Sequence, residues 1–181
     1  MTTLCIDTKK GEMWSDSRSS CSLDTGLFSM MTGLNKKFYY EDDVVKIYKM
    51  EGCLVSACGR VSSIETILED IESGKVYDHY YFKGDDAGCR VFVMTNKSGK
   101  PIVKCYTLTP QKTFVDSLLS LRYIRYKVEV SWYKDCVIFS GSGGDFAKQS
   151  YDEKFDIEHA MYYAKARDKY SGGDIVCQAL K

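Results

Sequence analysis

Apolar residues recur along this chain with two periods, one of two residues and one near four, and these periods predict strands and helices. Thr3 to Ile6 and Glu12 to Ser15 predict two strands, joined as a hairpin by the turn Lys9-Lys10-Gly11. Residues 19 to 43 follow neither period, so an irregular segment is expected there. The chain is therefore expected to open with a hairpin and a long connection.

The next segment predicts two more strands and a helix. Val44 to Met50 and Cys53 to Cys58 are rich in β-branched or apolar residues, and the turn sequence Glu51-Gly52 separates them. Apolar side chains then recur at helical spacing and predict an amphipathic helix over residues 60 to 73. Gly74 is suited to end this helix, because glycine readily adopts the left-handed conformation found at helix C-termini.

The second half of the chain predicts further strands at residues 91–95, 102–108, 128–133, 137–140 and 175–179. Residues 110 to 125 are ambiguous, and a short helix is one interpretation. Asp156 to Tyr170 predicts a second helix, capped by Asp156, whose inward-facing residues are Ile157, Ala160, Met161 and Ala164. Strands and helices in this order indicate an α+β layered fold, with residues 1 to 181 as a single domain.

Composition and charge exclude several classes of protein. Acidic and basic residues number 25 each and form no long basic run, so the basic face of a nucleic-acid-binding protein is not expected. No apolar run approaches the ~20 residues that a membrane helix needs. Met1 to Cys5 lacks the pattern of a signal peptide, so a cytoplasmic protein that starts at residue 1 or 2 is expected.

The cysteines and a glycine-rich turn have ordinary interpretations. No two of the eight cysteines have C-x-x-C spacing, so a zinc site is not expected, and without an export signal a disulfide framework is the weaker interpretation. Gly141 to Gly144 partly resembles a phosphate-binding loop, but a dinucleotide fold has glycine where this chain has Phe146. Nucleotide binding is therefore disfavoured, and no metal or organic cofactor is implied.

The candidate chemistry begins at Thr2. A small residue at position 2 allows methionine aminopeptidase to remove Met1, which exposes an α-amine on the residue that carries the hydroxyl. Such an amine has an ordinary pKa of ~7.7–8.0, so it can accept a proton near neutral pH. Nucleophile and base then belong to one residue, a known way to activate threonine. Alone, a Met-Thr start is common and carries little weight.

Six short segments, in a fixed order, strengthen this interpretation. They are Thr2-Thr3-Leu4 with Asp16-Ser17-Arg18-Ser19-Ser20, Val45-Lys46-Ile47, Ala57-Cys58-Gly59, Ser140-Gly141-Ser142-Gly143-Gly144 and Arg167-Asp168-Lys169-Tyr170-Ser171-Gly172-Gly173. Each is weak alone, but together they resemble the catalytic β-subunits of proteasomes and the related bacterial peptidase HslV, at similar spacing over residues 2 to 179. The resemblance implies the four-layer αββα sandwich of N-terminal-nucleophile hydrolases.

The resemblance also implies roles for individual residues. Thr2 would attack the substrate, and Lys46 would lower the pKa values of the Thr2 groups. Asp16 would pair with Lys46, and the N–H of Gly59 would donate to the oxyanion of the intermediate. From the residues alone, Lys46 also fits a solvent-facing strand position and Asp16 an ordinary turn.

Two further groups of residues follow from the same resemblance. Ser142, Asp168 and Ser171 would hydrogen-bond around the Thr2 amine and orient it. The pocket for the substrate side chain would be lined by Ser19, Val44, Tyr48 and Ala57. Asp168 lies near a predicted helix C-terminus, where the helix dipole disfavours an acid, so a specific partner is expected for it.

The implied activity is that of a threonine endopeptidase acting on peptides or unfolded proteins. Proteins of this kind usually form self-compartmentalised rings served by an ATP-driven unfoldase, so a homo-oligomeric ring is implied, with such an unfoldase as a candidate partner. Two alternatives stay open: an amidohydrolase for small amides, and a catalytically silent ring or scaffold subunit. The joint presence of Thr2, Asp16 and Lys46 argues against the silent subunit.

Three features depart from the family pattern. Arg60 stands where the family has a small residue, which leads to the hypothesis of a cation beside the pocket that favours acidic residues. Residues 76 to 90 do not predict the second helix that the family usually has. The chain stops soon after Cys177, without the longer tail of the bacterial relative. The resemblance therefore does not assign the individual residues that would make ring contacts or dock an unfoldase.

Overall fold

The computed structural model describes residues 2–24, 36–59, 61–83, 88–111 and 123–180. These residues form two compact units. The first takes the described residues of Met1–Cys5, Trp14–Lys46 and Phe139–Val176, and the second takes those of Ile6–Met13, Ile47–Ile138 and Cys177–Lys181. The single domain expected from the sequence stays a prediction.

The N-terminal hairpin has the form that the sequence predicts. Strand β1 spans Thr3–Asp7 and strand β2 spans Glu12–Asp16. Gly11, at a φ of 71°, closes the turn by donating its N–H to the Asp7 carbonyl at 2.9 Å. Two later strands, β11 (Val137–Gly141) and β12 (Ile175–Ala179), complete a sheet of order β11-β1-β2-β12. All five residues of β1 are buried, and the strand has a neighbour on each edge.

Residues 19 to 43 contain two strands, so the prediction of an irregular segment was wrong. Strand β3 (Ser19–Asp24) pairs antiparallel with β4 (Lys36–Glu41), which brings Ser19 opposite Glu41. Both segments are rich in polar residues and lack apolar alternation, so the pairing rests on backbone hydrogen bonds that no local pattern reveals. Residues 25–35 lie outside the described part of the chain.

The predicted strand at Val44 to Met50 is shorter than expected. Strand β5 spans Ile47–Met50 and pairs with β6 (Cys53–Gly59), with Ile47 opposite Ser56. The N–H of Val44 instead donates to the carbonyl of Ser17 at 2.9 Å, which takes this segment away from the strand ladder. Lys46 therefore precedes the strand, and its prediction as a strand residue was wrong.

Six antiparallel strands form the sheet of the second unit, in the order β5-β6-β8-β9-β10-β7. The strands not yet defined are β7 (His79–Lys83), β8 (Cys89–Lys97), β9 (Lys100–Gln111) and β10 (Tyr123–Tyr133). Helix α1 (Val61–Ser73) contacts β6 and β8, as its amphipathic pattern predicts. Ile67 of the helix joins the buried cluster that contains Val55, Val91 and Tyr126.

The connections of the second unit agree with the turn chemistry of the sequence. Gly74, at a φ of 70°, follows the last turn of α1. Ser98 and Gly99, both at positive φ, form the tight turn between β8 and β9. Residues 79–83 form strand β7, in keeping with the absence of a predicted helix there. Residues 112–122, the central part of the ambiguous segment 110 to 125, lie outside the described residues, as does Arg60.

Two helices of the first unit follow β11. Helix α2 (Gly144–Lys154) was not predicted, because it begins on the glycine-rich turn and has no apolar stripe. Helix α3 (Ile157–Arg167) was predicted, and Asp156 caps it by accepting the N–H of His159 at 3.1 Å. The two helices pack through small residues, Ala147 against Ala160 and Ala164. The four residues predicted to face inward from α3 are all buried.

Two expectations from composition concern thiols and membrane helices. Among the described residues, Cys5, Cys58, Cys89 and Cys105 are free thiols that are buried as small hydrophobic residues, and Cys53, Cys136 and Cys177 are also free. Burial raises the pKa of the Cys89 thiol to about 12, so it stays protonated. No helix in the described ranges has the length and apolar character needed to cross a membrane.

Candidate active site

Asp16 joins three segments of the first unit at one buried carboxylate. It lies at the end of β2 with no exposed surface. Its Oδ1 accepts the N–H of Thr3 at 2.7 Å and the Lys46 ammonium at 2.9 Å, and its Oδ2 accepts the N–H of Gly172 at 3.1 Å. A buried carboxylate is stable only when donors satisfy its oxygens, and three donors do so here. Asp16 therefore holds the N-terminal strand, the lysine and the loop after α3 in one arrangement.

Lys46 is a buried cation at this carboxylate. Its side chain is 8% exposed, and its Nζ also donates to the carbonyl of Arg18 at 2.5 Å. Burial lowers the pKa of Lys46 from its ordinary value, while the charge and hydrogen bond of Asp16 oppose that shift. Lys46 is therefore not the solvent-facing residue that its sequence context also allowed. A positioned ammonium of this kind stabilises negative charge that develops beside it.

Asp168 is another buried carboxylate of the first unit, and it follows the last residue of α3. Its Oδ2 accepts the hydroxyls of Ser142 at 2.6 Å and Ser171 at 2.7 Å, and its Oδ1 accepts the N–H of Tyr170 at 3.1 Å. Ser171 Oγ also lies 2.5 Å from Thr3 Oγ1. The specific partners expected for an acid at a helix C-terminus are therefore present, and they connect Asp168 to β1.

The glycine-rich turn between β11 and α2 packs against the start of β1. Gly141 has a φ of 86°, and a Cβ on it would lie 1.7 Å from the carbonyl oxygen of Thr2. A Cβ on Gly143 would lie 1.9 Å from Thr3 Oγ1. Both distances are far inside van der Waals contact, so only glycine permits this approach. The turn sequence is explained by the space that Thr2 and Thr3 occupy, and it needs no phosphate to explain it.

Gly172 provides a similar close approach on the loop after α3. Its N–H binds Asp16, and a Cβ on it would lie 2.3 Å from the guanidinium carbon of Arg18. Arg18 makes two hydrogen bonds to Asp42, at 2.7 and 3.0 Å, and lies over the ring of Tyr40. A partly exposed ion pair thus lies beside the buried Asp16–Lys46 pair.

Ser17 links the segments around Asp16, although the resemblance gave it no role. Its Oγ accepts the N–H of Asp174 at 2.8 Å and that of Asp43 at 3.3 Å. Its carbonyl accepts the N–H of Val44, and its own N–H donates to the carbonyl of Asp174, both at 2.9 Å. Ser17 therefore fixes the chain before Lys46 and the chain after Gly172 to the end of β2.

Three residues of this arrangement were not predicted as site residues: Thr3, Ser17 and Gly172. Each directly follows a candidate that the sequence did indicate. All three belong to the segments that carry the family resemblance, but the resemblance gave them no role of their own, and their contacts are made largely by backbone groups and short hydroxyls. Such contacts depend on segments more than a hundred residues apart, such as Thr3 and Ser171.

The remaining candidates divide between the two units: Ser19 and Val44 lie in the first, and Tyr48, Ala57 and Gly59 in the second. Gly59 has a φ of 121°, and a Cβ on it would lie 2.5 Å from the carbonyl oxygen of Gly88, so packing alone requires glycine there. The roles of these five residues toward Thr2 stay predictions. Met1, whose removal would expose the amine of Thr2, lies outside the described residues.

The first unit offers acid–base and nucleophilic groups near the N-terminus. Thr2 is 7% exposed, and the residue that follows it is bound to two buried carboxylates, Asp16 directly and Asp168 through Ser171. Among the described residues, no group of three or more His, Cys, Asp or Glu side chains is arranged to hold a metal ion. The arrangement suits a hydroxyl nucleophile supported by a nearby cation.

Comparison with known proteins gives a match at the level of structure. No family model matches the sequence, and no curated protein matches it significantly. Eukaryotic HslV from Trypanosoma brucei matches with a TM-score of 0.54 at 13% identity, covering 99% of this chain and 99% of HslV. BPH of Thiobacillus denitrificans, in complex with epoxomicin, matches with a TM-score of 0.50 at 12% identity, covering 99% of this chain and 100% of BPH. The expected fold class, that of N-terminal-nucleophile hydrolases of the proteasome and HslV type, is therefore confirmed.

Proposed function

We propose that this chain is a threonine endopeptidase, which cleaves peptide bonds through an acyl-enzyme on Thr2 once Met1 has been removed. One observation carries the proposal: Asp16 Oδ1 accepts both the Lys46 ammonium and the N–H of Thr3, the residue bonded to Thr2. This shared oxygen ties the N-terminal residue to a buried cation. The contact of Gly141 with the Thr2 carbonyl restrains the same peptide group further.

The first half-reaction forms the acyl-enzyme. Thr2 Oγ bonds to the substrate carbonyl carbon, and its proton passes to the α-amine of Thr2. The Lys46 charge stabilises the oxygen that loses the proton and helps to keep the amine neutral beforehand. We assign the N–H of Gly59 as the donor to the oxyanion. The substrate C–N bond then breaks, the departing amine takes the proton from the Thr2 ammonium, and an ester on Thr2 remains.

Water completes the reaction. The Thr2 amine takes a proton from water while the water oxygen bonds to the ester carbonyl carbon. The bond from that carbon to Thr2 Oγ then breaks, and the proton returns to Thr2 Oγ as the carboxylic acid leaves. No electrons are gained or lost, so the reaction calls for no redox cofactor.

The Asp168 cluster is assigned to orienting the amine. Ser142 and Ser171 both donate their protons to Asp168 Oδ2, so Ser142 Oγ keeps lone pairs that can accept an N–H from Thr2. Such a contact would direct the amine's own lone pair toward the hydroxyl. We assign the pocket for the substrate side chain to Ser19, Val44, Tyr48 and Ala57.

Protein or peptide substrates and a homo-oligomeric ring complete the proposal. The fold shared with HslV supports a ring assembly. A cytoplasmic location and an ATP-dependent unfoldase as partner are further parts of this proposal. Native mass spectrometry of the purified chain tests the ring, since a monomer at all concentrations contradicts it. Hydrolysis of a dye-linked peptide, compared with that of small amides, separates the endopeptidase from the amidohydrolase alternative.

Intact-mass measurement tests the nucleophile directly. The wild-type chain should lack Met1 and gain one adduct on incubation with epoxomicin, the compound bound to BPH. The Thr2→Ala variant should gain none, whereas Thr109→Ala, which changes an exposed threonine on β9, should react like the wild type. A wild-type chain that keeps Met1 and stays unmodified would support the silent ring subunit instead.

A further inference from the structure

We propose that Thr3 is a positioning residue of the peptidase site, which couples two buried carboxylates and holds the Thr2 peptide group in its reactive orientation. This inference rests on the proposed function of Thr2. Thr3 does not carry the reaction itself. It acts through Asp16 and through the Ser171–Asp168 pair.

Thr3 is bound at both its backbone and its side chain. It is 1% exposed, its N–H lies 2.7 Å from Asp16 Oδ1, and its Oγ1 lies 2.5 Å from Ser171 Oγ. One residue thus bridges a carboxylate at the end of β2 and a loop that follows α3. Charged groups linked to it in the described structure are Asp16, Lys46 and Asp168.

The direction of these hydrogen bonds follows from counting protons. An ionised Asp168 can only accept, and each hydroxyl has a single proton to donate. Ser171 Oγ gives its proton to Asp168 Oδ2 at 2.7 Å, so in its contact with Thr3 it must be the acceptor. The Thr3 hydroxyl therefore donates to Ser171, and Ser171 donates to Asp168. We call these two successive hydrogen bonds the hydroxyl relay. A methyl group in place of the Thr3 hydroxyl would leave Ser171 without this donor.

The relay bears on catalysis because Thr2 and Thr3 share a peptide group. Its N–H is held by Asp16, and its carbonyl lies against Gly141. The hydroxyl relay adds a third restraint, so the Thr2 backbone, which carries both the nucleophile and the base, cannot rotate freely. A displacement of about 1 Å at a reacting group can lower a rate by about 100-fold, so a lost restraint should reduce the rate of attack. Thr3 is buried, so substrate affinity should change little.

Epoxomicin inactivation of the full chain tests this role with two variants. Thr3→Val removes the hydroxyl and keeps the shape, whereas Thr3→Ser keeps the hydroxyl. For Thr3→Val we expect a maximal inactivation rate at least about 10-fold lower, with the half-saturating concentration within about twofold. Thr3→Ser should restore the rate to within about threefold of the wild type. Intact mass confirms that Met1 is removed from each variant.

Two outcomes of this comparison would overturn the inference. One is a Thr3→Val variant that reacts at the wild-type rate. The other is an equal loss in Thr3→Ser and Thr3→Val, since the loss would then come from packing and not from the hydroxyl.

A thermal-unfolding cycle separates failure of this inference from failure of the proposed function. If the wild type gains no adduct, the assignment of Thr2 fails, and the relay is judged by the melting temperatures of Thr3→Val, Asp168→Asn and the double variant. Because both changes break one chain of hydrogen bonds, the double variant should lose less than the sum of the single losses. Strictly additive losses would rule out the coupling of Thr3 to Asp168.

Discussion

Lys46 Nζ lies 2.9 Å from Asp16 Oδ1, and the exposed fractions of the two side chains are 8% and 0%. Removing both charges from water is unfavourable, and their attraction offsets that penalty only while both partners and the surrounding donors are in place. The pair is therefore better suited to fixing a geometry than to adding stability. The pair lies beside the first residue of β1, because Asp16 also binds the N–H of Thr3. Packing alone does not explain a buried ion pair at this place.

Replacing Lys46 with methionine should expose the cost of leaving Asp16 without its cation. We expect Lys46→Met to lower the free energy of unfolding by ~3–5 kcal/mol and to abolish peptide hydrolysis, because a buried carboxylate would keep only its N–H donors. Lys49→Met, at an exposed position of β5, should change stability by no more than ~0.5 kcal/mol. Urea unfolding of both variants and the wild type measures these free energies. Equal stability of Lys46→Met and the wild type would contradict the prediction.

The lowered pKa of Lys46 predicts a pH dependence of stability. Between that lowered value and the ordinary value of 10.5, the unfolded chain holds more protons on this residue than the folded chain does. The free energy of unfolding should therefore rise with pH through this window. Urea unfolding of the wild type and Lys46→Met across the window isolates the effect, because other groups titrate in both proteins. A difference that stays flat or falls with pH would show that the folded-state pKa is not depressed.

Gly143→Ala should be destabilising because the new methyl group would overlap the Thr3 hydroxyl. Moving Thr3 aside would break the hydrogen bond between its hydroxyl and Ser171 and would therefore cost free energy. We expect a loss of ~1–3 kcal/mol, part of which Thr3→Ala should recover in the double variant. Gly144→Ala is the matched control: its Cβ would meet Phe139 at an ordinary 3.4 Å, and an alanine in α2 should be neutral or stabilising by ~0.5–1 kcal/mol. Thermal unfolding that ranks Gly144→Ala below Gly143→Ala would refute this account of the turn.

Ser17→Ala tests the link around Asp16. The change removes the acceptor for the N–H groups of Asp43 and Asp174, so we expect a loss of ~1–3 kcal/mol of unfolding free energy. Ser73→Ala, which removes an exposed hydroxyl at the end of α1, should have little effect. Similar stabilities of the two variants in urea would show that the Ser17 hydroxyl is replaceable by water.

Several elements could be predicted because their signals are local. The turn at Gly11, the amphipathic helix α1 and the cap of α3 at Asp156 each depend on residues within a few positions of one another. Helix α2 and the β3–β4 pair were missed for the complementary reason. Their sequences are polar and lack a clear period, and their stability comes from partners elsewhere in the fold.

By itself, the sequence determined the hairpin, two of the three described helices and most strands, and it indicated Asp16, Lys46 and Asp168 as candidates. Only the tertiary structure decided that Lys46 precedes its strand and is buried on Asp16, and that Thr3 contacts Ser171. The physical reason is the separation along the sequence of the residues that interact. Periodicity and capping act between neighbours, whereas a buried carboxylate is satisfied by donors that lie far apart in sequence and meet only when the chain is folded.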